Sequence, residues 1–430
     1  MKIFFNRWLV LAAFFFLVES AIAQIRGTEI TVVVAPDHAD WNYETGEKAR
    51  FTAKVLRAGV PMRNVEVDYE AGPEMYASVK RHATLEDGTM TWTGTMPTPG
   101  FYRLKVTAHV GGRDYSGWCT AAFSPQRIKA KATMPADFTA FWDGVMAEAR
   151  QTPLQPTVTL LPERCTEDVN VYHVSFQNIR PGSRTYGILC VPVKSGTYPA
   201  LLRVPGAGIR PYEGDRWMAS LGCITLEIGI HGIPVTMTQD YYDKLFYGAL
   251  NGYWEMNTDD RDGNYYKRVF VGALRAIDYI ATLPQWDGRR LCVTGSSQGG
   301  MLSLVCAALD KRVTCYGAVH AAMCDHEAAL SGQPCGWPHY FYGKKDVDKK
   351  AVEAARYYDG VNFARLINCP GWFSFGYNDD VVPPTSAYAT YNEVTAPKTL
   401  RVFQQTAHFW YQEQWDEWNA WICRQMGVKF

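Results

Sequence analysis

Charge of one sign is what this sequence most plainly lacks: 43 Lys and Arg stand against 43 Asp and Glu, and no basic run breaks the balance. Without a positive excess there is no electrostatic footprint for nucleic acid or for an anionic membrane surface, so neither partner is expected. Also missing are a C-x-x-C pair and any His/Cys cluster at metal-ligand spacing, which argues against a structural zinc; no metal is expected. The apolar run Trp8 to Val18 is too short to span a bilayer.

That short run is informative in another way. Lys2 and Arg7 precede it and Ala21-Ile22-Ala23 follows it, the small-x-small pattern of a cleavage site. Residues 1–23 therefore read as a secretory signal peptide, and the mature protein is expected to be secreted or periplasmic, without a membrane anchor. Export makes the eleven cysteines worth placing. Cys190, Cys223 and Cys292 fall inside apolar, strand-like runs, where cysteine behaves as a small buried hydrophobe. Cys324 with Cys335, and Cys306 with Cys315, are close enough in sequence to be candidate disulfides, and the odd total leaves at least one thiol over.

What the chain has in quantity is core material: 47% of its residues are hydrophobic, with 14 Trp, 25 Tyr and 20 Phe. Its 430 residues suggest two or more domains. Over 27–123, the β-rich runs Glu29 to Val34, Lys48 to Leu56, Val65 to Tyr69, Met90 to Thr95 and Tyr102 to Val110 are separated by turn signals such as Asp87-Gly88 and Pro99-Gly100. This texture predicts an immunoglobulin-like β-sandwich over 24–125. Ser124 to Met134 then reads as a linker.

Beyond it the period changes. Asp137 to Arg150 reads as a helix, and strands are predicted near 168–176, 184–191, 199–204, 222–228, 290–295, 313–319, 371–375 and 399–404. Helices separate the later ones, notably over 264–283, where Val269, Ala273, Ile277 and Ile280 make one stripe. Two hairpin-like strands followed by βα units predict an α/β fold over 126–430: a mostly parallel sheet covered by helices, in the α/β-hydrolase layout.

One stretch organises that second domain. Leu291-Cys292-Val293-Thr294-Gly295-Ser296-Ser297-Gln298-Gly299-Gly300 runs from an apolar strand into a serine flanked by glycines, and a helix-like run follows. This is the G-x-S-x-G nucleophile elbow, with Ser297 as nucleophile. Such a serine needs a histidine to take its proton and a carboxylate to orient that histidine, in the chain order Ser, Asp or Glu, His. His408 follows the last predicted strand and supplies the base. Phe375-Gly376-Tyr377-Asn378-Asp379-Asp380 ends the preceding strand and supplies two candidate acids, Asp379 and Asp380. An oxyanion hole needs two backbone donors. These are assigned to the N–H of Gln298 and to the turn Pro205-Gly206-Ala207-Gly208, with Ala207 preferred over Gly206.

From about Asp137 onward the chain resembles the acetyl xylan esterase and cephalosporin-C deacetylase family, carbohydrate esterase family seven. The resemblance rests on Phe138-x-x-Phe141-Trp142, Tyr265-Tyr266-x-Arg268-Val269-Phe270, the elbow, Tyr358-Asp359-Gly360-Val361-Asn362-Phe363-Ala364 and Gly376-x-x-Asp379-x-x-x-Pro383-Pro384. It implies deacetylation of sugar hydroxyls by a Ser-His-Asp triad without a cofactor, and its frame selects Asp379 as the acid. Three departures stand out: His231-Gly232-Ile233 where the family has Arg-Gly-Gln, Phe409 where it has an acidic residue, and the extra β module. They bear on substrate and on the family's ring-like oligomer more than on the chemistry.

The expected activity is that of an exported serine esterase acting on acetylated carbohydrate. Trp254, Trp337 and Tyr377 are the residues expected to meet substrate, because flat rings pack on sugar faces; His231 is offered either as a further substrate contact or, the favoured reading, as a structural replacement for the family's arginine. A prolyl oligopeptidase-like peptidase is the enzymatic alternative, but the front segment is too short for a propeller. A glycan-binding protein with a relic hydrolase domain is the non-catalytic alternative, opposed by the intact triad order. Because every proposed catalytic residue lies beyond Asp137, loss of the front module is expected to spare hydrolysis of small esters.

Overall fold

The computed structural model describes residues 28–430; the signal peptide read at 1–23 lies outside the described residues. Residues 30–123 form two sheets. One comprises Ile30–Pro36, Ala49–Arg57, Val60–Pro61 and Thr89–Gly94; the other comprises Asn42–Tyr43, Arg113–Phe123, Gly100–Val110, Val65–Pro73 and Val79–Leu85. Strict alternation drives this packing. In Ala49–Arg57 every second side chain (Ala49, Phe51, Ala53, Val55) is buried, and these meet Val67, Leu104 and Val106 of the other sheet in one core.

The larger part of the chain is built on a nine-stranded sheet. Its order is Thr157–Leu160, Val169–Gln177, Arg184–Pro192, Ile224–Gly229, Tyr198–Arg203, Trp286–Ser296, Cys315–Val319, Gly371–Phe375, Lys398–Val402. The first three pairings are antiparallel and the remaining five are parallel. Parallel strands buried on both faces need helices above and below. Tyr265–Ile280, Gln298–Leu309 and Phe138–Gln151 provide one layer and Gln412–Met426 part of the other.

The reading of Ser124 to Met134 as a linker is corrected at the junction of the modules. The segment read as a linker is docked along its length: Lys131 and Ala132 N–H both donate to Asp325 Oδ1 at 2.7 Å, and Asn392 Nδ2 donates to the carbonyls of Pro125 and Ile128. The two modules also share a core, since Phe375, Tyr377, Tyr388 and Ala389 of the large sheet side pack with Phe101 and Phe123 of the front module. All eleven cysteines are unpaired, including the two candidate disulfides. Among the described residues no helix is long and apolar enough to cross a membrane.

Candidate active site

Ser297 sits between the strand Trp286–Ser296 and the helix Gln298–Leu309 with φ 61° and ψ −124°, a conformation a side chain adopts only under constraint. The flanking glycines make it attainable. A Cβ on Gly295 would lie 2.3 Å, and one on Gly299 2.4 Å, from the carbonyl oxygen of Val204, so only glycine lets the turn close on that strand end. The turn is pinned by Ser297 N–H to the Val319 carbonyl at 2.8 Å and by the N–H groups of Met301 and Ala322, both donating to the Ser297 carbonyl.

The same economy brings the acid to the base. A Cβ on Gly376 would fall 1.9 Å from the carbonyl oxygen of Thr406, so this glycine allows the loop carrying Asp379 to touch the loop carrying His408. Asp379 is fully buried. Its Oδ1 accepts from the N–H groups of Val381 and Val382 at 2.9 and 2.8 Å, leaving Oδ2 to accept from His408 Nδ1 at 2.8 Å. On the other side of the ring, His408 Nε2 stands 3.0 Å from Ser297 Oγ. With Nδ1 protonated toward the carboxylate, Nε2 is the acceptor for the serine hydroxyl, which is the tautomer a general base needs.

Gln298 and the turn 205–208 meet against the nucleophile. A Cβ on Gly206 would lie 3.2 Å from the Ser296 carbonyl and 3.8 Å from the Ser297 Cβ. The Gln298 side chain, fully buried, donates to the Pro205 carbonyl at 3.2 Å and accepts from Tyr253 Oη and Tyr266 Oη at 2.8 and 2.9 Å. Tyr253 Oη also accepts from Gly208 N–H, and Arg210 donates to the carbonyls of Gly206 and Ala207. The N–H of Ala207 is left free: among the described residues neither it nor the Gln298 N–H has a protein acceptor. Two fixed, unused donors beside a nucleophile are the makings of an oxyanion hole. Sequence reading missed Arg210, Tyr253 and Tyr266 in this role; the Tyr265-Tyr266 pair was visible as a family motif, whereas nothing local marks Arg210.

Of the four residues offered for substrate contact, Tyr377 and His231 are buried with their polar atoms engaged. Tyr377 is buried in the core shared with the front module, its hydroxyl donating to Asn42 Oδ1 at 2.9 Å; although next to the acid loop, it points away from the cleft. His231 has both nitrogens engaged, Nδ1 with Tyr265 Oη at 2.8 Å and Nε2 with the Gly208 carbonyl at 3.0 Å. Burial pushes its pKa down to about 4, so it is a neutral brace for the 205–208 turn. Trp254 and Trp337 are partly buried and adjacent, ring centroids 5.5 Å apart. The structure adds three aromatics directly after the base: Phe409, Trp410 and Tyr411 are 47%, 43% and 38% exposed.

His320 also borders the triad, its ring 5.3 Å from that of His408 and stacked with Trp410. Burial pushes its pKa down to about 4. Among the described residues His320, Asp379 and His408 are the one His/Asp/Glu/Cys group with its atoms near enough together to hold a metal ion. Two of the three already serve the hydrogen bonds to Ser297 and to each other, so a cation there would displace the relay.

Sheet order, elbow and relay define an α/β hydrolase. Comparison with known proteins makes this specific. The acetyl xylan esterase (AXE1) family model matches residues 125–425. The acetyl esterase Axe7A of Xylanibacter ruminicola is 38% identical over 401 residues, covering 92% of this chain and 90% of that protein. Among solved structures, an acetyl xylan esterase from Paenibacillus sp. R4 superposes with a TM-score of 0.60 at 25% identity, over 69% of this chain and 97% of its own. Acetyl xylan esterase 1 from Thermoanaerobacterium sp. JW/SL YS485 gives 0.60 at 21% identity, over 70% and 97%, which speaks to the fold. The chain belongs to the acetyl xylan esterase family and is a carboxylic-ester hydrolase.

Proposed function

We propose that this protein is an exported serine esterase that removes acetyl groups from the sugar hydroxyls of polysaccharides or their oligosaccharides, with Ser297, His408 and Asp379 as its triad. The observation that carries the reading is the single imidazole bridging a buried carboxylate at 2.8 Å and an elbow serine at 3.0 Å. Ser297 Oγ attacks the acetyl carbonyl as His408 Nε2 takes its proton. The oxyanion of the tetrahedral intermediate accepts from the N–H groups of Gln298 and Ala207, held ready at no reorganisation cost. Collapse expels the sugar alkoxide, which His408 protonates, and leaves an acetyl-enzyme. Water, deprotonated by the same nitrogen, attacks the ester and releases acetate and Ser297.

Carbohydrate as the acyl carrier is supported by the family and by the acetyl xylan esterases it resembles. The exposed aromatics beside His408, with Trp254 and Trp337, offer flat faces for sugar rings. Export is supported by the basic start, short apolar run and Ala21-Ile22-Ala23 of the first 23 residues. The two facing sheets of the front module support its reading as an immunoglobulin-like sandwich. Acetate release from a panel of acetylated xylans, other acetylated polysaccharides and acetylated oligosaccharides tests the proposal, with Ser297→Ala as control. Acetate from at least one glycan, abolished in the control, is expected; hydrolysis of simple aryl esters with none of the glycans deacetylated would contradict it.

A further inference from the structure

The front module lies against the loop that carries the acid, and its grip on that loop is polar and specific. Arg103 Nη2 donates to the backbone carbonyl of Asp379 itself at 3.1 Å. Trp118 Nε1 donates to the carbonyl of Asn378 at 3.1 Å, and Asn378 Nδ2 returns a bond to the Trp118 carbonyl at 3.3 Å. Glu74 Oε1 accepts from the N–H of Thr385 at 2.9 Å. These four bonds span both ends of the segment 378–385, and their front-module partners belong to Gly100–Val110, Arg113–Phe123 and the turn after Val65–Pro73.

We propose that the front β module is part of the catalytic machinery, with Arg103, Trp118 and Glu74 acting as positioning residues that hold Asp379 in register with His408. This rests on the triad reading above. The bonds from Val381 and Val382 N–H orient the carboxylate within its own loop, but they do not fix the loop against the base. One flank of the loop is tied to the His408 side, through Tyr377 N–H to the Gln404 carbonyl and Asn378 N–H to the Thr406 carbonyl. Beyond Asp379 the Val381 carbonyl accepts from Trp337 N–H at 3.2 Å and from His339 Nε2 at 2.9 Å, and the front module holds the carbonyls of Asn378 and Asp379 themselves and the Thr385 N–H. Arg103 is fixed for the task, with Nε donating to Thr120 Oγ1 at 2.8 Å and the Glu74 carboxylate 4.0 Å from its guanidinium. Glu74 is 1% exposed, a costly site for a carboxyl unless it is used. A triad tolerates little drift: loosening the loop lengthens the Oδ2 to Nδ1 bond, and the imidazole loses its fixed tautomer. Removal of residues 24–125 therefore inactivates the enzyme, contrary to what the chain order of the triad alone implies.

The test uses the full chain carrying Arg103→Met, which keeps the aliphatic stem without donors, and Trp118→Phe, which removes only the Nε1 donor. Each is expected to lower kcat on 4-nitrophenyl acetate by about ten- to a hundredfold with KM within about twofold, because binding is untouched while alignment is lost. In Arg103→Ala, methylguanidinium restores part of kcat. The downfield proton resonance of the His408 Nδ1–H to Asp379 hydrogen bond shifts upfield or broadens in the variants. Arg103→Lys, the milder change, serves if Arg103→Met does not fold. Parent-like kcat and an unmoved resonance in folded variants would overturn the proposal. If Asp379→Asn is equally harmless, the triad reading fails with it; if Asp379→Asn is severe and these variants are not, only the buttress fails.

Discussion

Asp379 and Asp380 are neighbours in sequence and opposites in environment: the first is fully buried with both oxygens engaged, the second faces solvent. On the proposed triad, the difference separates the acid from a turn residue. Asp379→Asn should reduce kcat by about three to four orders of magnitude, since the amide no longer fixes the required imidazole tautomer. Asp380→Asn should stay within about tenfold of the parent. Steady-state rates on 4-nitrophenyl acetate, with melting curves for both variants, check this order.

Gly376 makes a second, purely steric prediction. A methyl group there would meet the Thr406 carbonyl at 1.9 Å and Thr406 Oγ1 at 2.2 Å, so the loops bearing Asp379 and His408 must part. Gly376→Ala should cost at least about a hundredfold in kcat, the scale of a displacement of about 1 Å at a reacting group, and should lower the melting temperature. Rates and calorimetry on one preparation read both effects.

Glu74 gives a pH signature. Burial, opposed by Arg103 and by its bonds to Thr385 and reinforced by the nearby Asp379 charge, raises its pKa from 4.5 to about 7. From about 4.5 to about 7 the folded protein keeps a proton that the unfolded chain has released, so this group's contribution to stability is present at low pH and lost as pH rises through 7. Glu74→Gln still offers an oxygen to Thr385 N–H and cannot ionise. Its melting temperature relative to the parent should therefore climb across that window and level off above it. A pH series of paired thermal melts measures the difference, in which titrations not coupled to Glu74 cancel.

Phe409, Trp410 and Tyr411 are exposed beside the base. If they carry sugar rings, Trp410→Ala should raise KM for an acetylated polysaccharide by about tenfold, in line with roughly 1 to 1.5 kcal/mol for a well-stacked aromatic face. Hydrolysis of 4-nitrophenyl acetate, which has no sugar to stack, should change far less. Parallel KM measurements on the two substrates decide it.

The sequence made the large sheet legible because its strands are apolar runs ending in glycine or polar turns, and eight of the nine could be placed. Thr157–Leu160 escaped notice because all four of its side chains are exposed, leaving no buried face to set a period. In the front module, Val79–Leu85 was hidden by Lys80, Arg81 and His82 on an exposed edge. The hydrogen-bonded set Ser297, His408 and Asp379 was readable because the fold dictates its order and its place at strand ends. Tyr377 misled for a related reason: proximity to the acid in sequence says nothing about which way a side chain turns, and this one turns into the shared core. Arg103 and Asp379 lie 276 residues apart, and no local pattern announces such a contact. The same holds for the two tyrosines that clamp Gln298.

The proposed esterase chemistry requires a covalent acetyl group to pass through Ser297. Rapid acid quenching during turnover of an acetylated substrate, followed by mass spectrometry of the digested protein, should find one acetyl group on the peptide containing Ser297, absent from Ser297→Ala. An unacetylated Ser297 during fast turnover, or an acetyl group on another residue with Ser297→Ala still active, would contradict it.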